Sequence, residues 1–62
     1  MTENNLHNIM TQLVQEQKSL WRIEKHYIDE AGSAEELALW QKLAEDKKKH
    51  IQDFKTLIKT SL

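Results

Sequence analysis

The chain has 62 residues, with no cysteine, no proline and a single glycine. This length corresponds to one small domain spanning residues 1–62, and a chain of this size buries only about 60% of the surface that it exposes when unfolded. The absence of cysteine excludes disulfides and thiolate metal sites, and the scarcity of glycine and proline argues against sheets with tight turns. The net charge of −1 favours neither nucleic acid nor a membrane surface as a partner.

No apolar run approaches the about 20 residues that a membrane span requires. The first residues also lack the basic and apolar regions of a signal peptide. We therefore expect a cytoplasmic protein that contacts no membrane.

Helix 1 is predicted over residues 5–31, with Asn4 or Asn5 as its N-cap. Its apolar residues recur at alternating steps of four and three, which is a heptad pattern. The predicted seam consists of Leu6, Met10, Leu13, Gln17, Leu20, Glu24, Tyr27 and Ala31. Further apolar residues flank this seam and widen the apolar face to about half of the helix surface.

A turn is predicted at residues 32–33, at the one strong interruption of the helical pattern. Gly32 suits the left-handed position just past a helix end. Ser33, followed three residues later by Glu36, is a capping box that starts the next helix. Helix 2 is predicted over residues 34–59.

Helix 2 carries a second apolar stripe, so the predicted fold class is all-α, an antiparallel two-helix hairpin. Both apolar faces are broader than one hairpin covers, and large exposed apolar patches mark interfaces. We therefore expect a homodimer that forms a four-helix bundle, with a marginally stable monomer as the alternative. The predicted interface residues are Leu13, Leu20, Trp21, Tyr27, Trp40, Ile51 and Phe54.

Polar residues interrupt both apolar stripes. They are Gln17, Glu24, Lys47 and His50. Because buried charges are costly unless they are paired, we interpret these residues as a polar layer in which Glu24 or Glu16 meets Lys47, within the hairpin or across the dimer. Such layers fix the register and the oligomeric state of helical bundles.

A metal site is the alternative interpretation of the same residues. Glu24 and His50 are ligand types that helical bundles use, and dimerisation would double their number. Their spacing is not that of a specific metal motif, and Lys47 would place a cation where a metal would bind. We therefore predict no cofactor.

A lysine-rich stretch runs from Lys42 to Lys59 and is the only candidate contact for nucleic acid. Acidic residues alternate with these lysines, and no aromatic residues for base stacking accompany them on the outer face. We interpret the stretch as a solvated helix face, and nucleic-acid binding is the less favoured alternative.

Residues 39–54 resemble the second helix of a rubrerythrin-type, ferritin-like hairpin, which reads aromatic-x-x-Leu-Ala-x-x-Glu-x-x-His. The matching residues are Trp40, Leu43, Ala44 and His50. The resemblance implies a ferritin-like four-helix bundle, assembled here from two hairpins. Lys47 stands where the family has a glutamate ligand, and Leu20 aligns with the glutamate of its first helix, so the resemblance implies a scaffold without a diiron site.

No nucleophile paired with a base, phosphate-binding glycine loop or carboxylate pair is evident in the sequence. We therefore expect a non-enzymatic interaction or adaptor module. The alternative is a metal-binding ferritin-like protein for iron handling or defence against oxidative stress.

Overall fold

The computed structural model describes residues 1–61, and these residues form two helices and no strand. Helix α1 spans Glu3–Arg22 and continues into a π-helical segment, Ile23–Tyr27. Helix α2 spans Ala34–Ser61. The predicted all-helical fold with two helices is thus confirmed. Within the described residues, neither helix contains a segment that is both long enough and apolar enough to span a membrane.

Helix α1 begins two residues earlier than the sequence predicts, because Thr2 and not Asn4 or Asn5 is its N-cap. The backbone of Thr2 is extended, and its hydroxyl oxygen accepts a hydrogen bond of 3.1 Å from the amide of Asn5. A threonine hydroxyl satisfies one of the free amides of the first turn in this way.

The π-helical segment changes which residues share a face near the end of helix 1. The amide of Ile28 donates a hydrogen bond of 3.0 Å to the carbonyl of Ile23, five residues earlier. The wider turn therefore places Ile28 over Ile23, whereas a regular α-helix would place Tyr27 there. The regular α-helix thus ends well before residue 31, the predicted end of helix 1.

The predicted capping box forms at the start of α2. The amide of Glu36 donates to the hydroxyl of Ser33 at 3.1 Å, and the carboxylate of Glu36 accepts from the amide of Gly32 at 3.0 Å. The prediction of a left-handed Gly32 is wrong, since its φ is not positive. The hydrogen bond to Glu36 fixes the turn without that conformation.

The two helices pack side by side in opposite directions, and the hairpin measures 45 × 14 × 12 Å. Only Ile23 and Ala44 are buried among the described residues. The half-buried positions of α1 are Leu6, Ile9, Leu13, Glu16, Ser19 and Leu20. The seam therefore runs through Ile9 and Glu16, and the neighbouring residues Met10 and Gln17 of the predicted seam are exposed.

Candidate functional site

A salt bridge between the helices lies near the middle of the hairpin. The ammonium of Lys47 is 2.8 Å from the carboxylate of Glu16, and these side chains are 23% and 13% exposed. Both residues occupy seam positions of their helices, which brings the two charges together. Within the hairpin, the partner of Lys47 is therefore Glu16 and not Glu24.

His50 approaches the same carboxylate from the neighbouring turn of α2. Its Nδ1 atom is 3.6 Å from the second carboxylate oxygen of Glu16. The hydrogen bond from Lys47 lowers the pKa of Glu16 below its ordinary value of 4.5, against the opposing effect of burial. The cluster thus holds an ionised carboxylate between two nitrogen-bearing side chains.

The other residues of the predicted polar layer lie outside the seam of the single chain. Gln17, Glu24 and His50 are exposed, and only Lys47 of the four is half-buried. The carboxylate of Glu24 lies 3.7 Å from the ammonium of Lys48, on the edge of the hairpin. A polar layer that includes all four residues stays a prediction for an assembled form.

The candidate metal ligands Glu24 and His50 do not meet in the hairpin. Glu24 contacts Lys48, whereas His50 contacts Glu16. Within residues 1–61, no group of three or more histidine, aspartate or glutamate side chains is placed to hold a metal ion. Glu16, the carboxylate nearest to His50, is bonded to the ammonium of Lys47.

Most of the predicted interface residues pack within the hairpin itself. The half-buried members of that set are Leu13, Leu20, Trp40, Ile51 and Phe54. The rings of Tyr27 and Trp40 meet at 4.9 Å near the turn, and the indole N–H of Trp40 is buried without a hydrogen-bond acceptor. Trp21, at 54% exposed, is therefore the predicted interface residue that remains most available to a partner.

Trp21 belongs to an exposed row on α1 that we call the α1 apolar strip. The strip consists of Met10, Val14 and Trp21. Open depressions flank the indole, one of them lined by Lys18 and Arg22 and another by Leu20, Ile51 and Lys55. The ring of His26 packs edge-on against Trp21 at 5.1 Å.

Helix α2 carries a second, partly exposed row, which we call the α2 leucine strip. It consists of Leu39 and Leu57, which are 53% and 45% exposed, and of Leu43 between them, which is half-buried. Leu39 lies outside the seven-residue repeat of the seam, so that repeat does not predict it as an interface residue. Its spacing of four residues from Leu43 is the signal in the sequence that places both leucines on one side of a helix.

The two strips lie on opposite faces of the hairpin. Trp21 shares a depression with Lys55 of α2, so the α1 apolar strip lies on the Lys55 face. Leu43 and Leu57 stand seven residues before and after His50, two helical turns in each direction, and therefore lie on the His50 face. These two faces flank the seam residue Lys47 on either side of α2.

No family model, curated protein or solved structure matches this chain. The ferritin-like resemblance therefore stays a prediction.

Proposed function

We propose that this chain is a non-enzymatic protein–protein interaction module that works by association with further copies of itself. Its smallest assembly is a homodimer in which two hairpins form a four-helix bundle. The observation that carries the proposal is the small core: Ile23 and Ala44 are buried among residues 1–61, while Trp21 and Leu39 are more than half exposed.

The energetic argument for association rests on the size of the exposed side chains. Full burial of a large apolar side chain contributes about 1.5–3 kcal/mol, and a hairpin of this length has little internal burial to offset the entropy of folding. A second hairpin placed on the α1 apolar strip would cover Met10, Val14 and Trp21 together. Association therefore supplies the burial that the single hairpin lacks.

The cluster of Glu16, Lys47 and His50 supports a structural role and not a catalytic one. Lys47 occupies the position at which the ferritin-like resemblance places a glutamate ligand, and its ammonium is bonded to Glu16 at 2.8 Å. A cation in a salt bridge at this position opposes the binding of a metal ion there. As part of the same proposal, the fold is a ferritin-like bundle whose mid-bundle pair sets the register of the helices.

Sedimentation equilibrium over micromolar to millimolar concentrations tests the proposal. The wild-type chain is expected to sediment at twice its mass of 7.4 kDa or more. The variant Trp21→Glu places a charge in the α1 apolar strip and should shift the equilibrium toward monomer. The matched control is Gln15→Glu, which adds the same charge at an exposed position of the same helix.

A folded wild-type chain of 7.4 kDa at every concentration would overturn the proposal. Equal association of Trp21→Glu and Gln15→Glu would instead remove the α1 apolar strip from the interface.

A further inference from the structure

Around Trp21, at one end of the α1 apolar strip, basic side chains outnumber acidic ones. Lys18 and Arg22 line one depression beside Trp21, and Lys55 lines the other together with Glu24. Within residues 1–61, Lys18, Arg22 and Lys55 form no ion pair, whereas Glu24 lies near Lys48. Three cations thus stand beside the exposed indole without an acidic partner among the described residues.

The α2 leucine strip is interrupted by acidic residues. Asp46 lies three residues after Leu43, and Asp53 lies four residues before Leu57, so both carboxylates share the side of α2 that carries the leucines. Neither aspartate takes part in an ion pair in the part of the chain that the structure describes. Lys42 and Lys49 stand four residues before Asp46 and Asp53, but these lysines are exposed and lie farther from the leucines than the aspartates do, on the solvent side of α2 opposite the seam.

The charges beside the two strips are therefore opposite in sign, whereas two copies of the same strip would bring together charges of the same sign. Pairing two α1 apolar strips would bring the cations of both copies together, and pairing two α2 leucine strips would do the same with the aspartates. Like charges placed across an interface are unfavourable, and opposite charges promote association. Resting on the self-association proposed above, we propose that the α1 apolar strip of one copy docks on the α2 leucine strip of the next copy.

This contact does not close at the dimer. The strips lie on opposite faces of the hairpin, so each copy in a docked pair uses one strip and keeps the other free. The pair therefore has one free strip at each end. A head-to-tail contact of this kind produces rings or open chains of subunits. The assembly therefore grows beyond the four-helix dimer as the concentration rises.

Two variants, each with one strip disabled, test the docking mode. Trp21→Glu places a negative charge opposite the aspartates of the next copy, and Leu39→Lys places a positive charge opposite its cations. Both positions are more than half exposed, so we expect neither substitution to disturb the packing of the hairpin. Far-UV circular dichroism checks that each variant is helical. Each variant alone should stay monomeric at concentrations where the wild-type chain associates, with a dissociation constant raised at least about ten-fold.

The decisive sample is an equimolar mixture of the two variants, measured by sedimentation or native mass spectrometry. The intact leucine strip of the Trp21→Glu chain should dock on the intact α1 apolar strip of the Leu39→Lys chain. The expected product is a one-to-one heterodimer that grows no further, because the strips left at its two ends are both disabled.

Other outcomes separate this proposal from the one on which it rests. A homodimer of the Leu39→Lys variant as tight as the wild-type dimer, with no heterodimer in the mixture, would overturn head-to-tail docking and leave self-association standing. A wild-type chain that stays monomeric would overturn both. If either variant loses its helical spectrum, Trp21→Gln and Leu39→Gln replace the pair, with the same mixture expected to give the heterodimer.

Discussion

At the scale of single residues, the salt bridge between Glu16 and Lys47 allows two charged side chains to occupy the seam, because each charge compensates the other. Two seam positions that would otherwise be apolar carry opposite charges, and their side chains are more than three-quarters covered. Removal of one partner from a covered pair leaves the other without compensation, whereas replacement of both by apolar residues is often neutral or stabilising.

The variant Lys47→Leu should lower the free energy of unfolding by about 1–3 kcal/mol, because the carboxylate of Glu16 loses its strongest hydrogen bond. The double variant Glu16→Leu/Lys47→Leu should recover most of that loss. Urea denaturation at a fixed protein concentration measures both, with Lys49→Leu on the solvent side as the control. A gain in stability from Lys47→Leu alone would mean that the lysine sets only the register.

The same carboxylate makes the stability of the hairpin depend on pH. Because the folded state lowers the pKa of Glu16 below 4.5, its contribution is fully present above that pH and is lost as the pH falls through the lowered pKa. Thermal unfolding in acidic buffers should show the melting temperature falling in this range, and less steeply in Glu16→Gln. The variant Glu30→Gln, at an exposed position outside the cluster, should keep the wild-type slope.

At the scale of elements, the turn between the helices is fixed by hydrogen bonds to side chains. Ser33 and Glu36 each satisfy a backbone amide at this turn, and Gly32 takes a conformation open to any residue. A Cβ atom at Gly32 would lie 3.6 Å from a carboxylate oxygen of Glu36, which is an ordinary contact.

Gly32→Ala should therefore stabilise the hairpin by about 0.4–1 kcal/mol, since alanine reduces the entropy of the unfolded chain. A left-handed Gly32 would instead make the same change destabilising. Chemical denaturation distinguishes these results by the sign of the change. Ser33→Ala is the comparison, and the loss of its cap should cost about 1 kcal/mol.

The π-helical segment is the other element that shapes the surface. It adds a wide turn after Arg22 and brings Ile28 above Ile23, while Tyr27 packs against Trp40. Segments of this kind change the face that later residues present. Ile23, at the start of this segment, is one of the two buried residues of the described chain.

At the scale of the whole molecule, folding and association are coupled through the exposed strips. Anything that binds only the folded chain raises its apparent stability in proportion to the logarithm of its concentration. A further copy of the chain is such a ligand if the strips dock.

The melting temperature of the wild-type chain should rise by a few degrees for each tenfold increase in protein concentration. In the variant Trp21→Glu it should stay nearly constant. Circular dichroism in cells of different path length measures both. A concentration-independent melting temperature of the wild-type chain would show that the hairpin folds without a partner.

The sequence by itself determined the two helices and the capping box at the start of the second one. These features depend on local chemistry: a seven-residue apolar repeat, one glycine, and a serine three residues before a glutamate. The same repeat places Lys47 within the apolar stripe of helix 2, and this residue is half-buried in the structure.

Only the tertiary structure decided which of two adjacent seams of helix 1 faces helix 2. Ile9 and Glu16 lie one position from Met10 and Gln17, and both sets fit a repeat of four and three. The choice depends on the salt bridge from Glu16 to Lys47 and on the packing of Ile23, which are contacts between residues distant in the chain. The placement of the two exposed strips on opposite faces follows from that choice, because each strip is defined by the residues that the seam leaves outside.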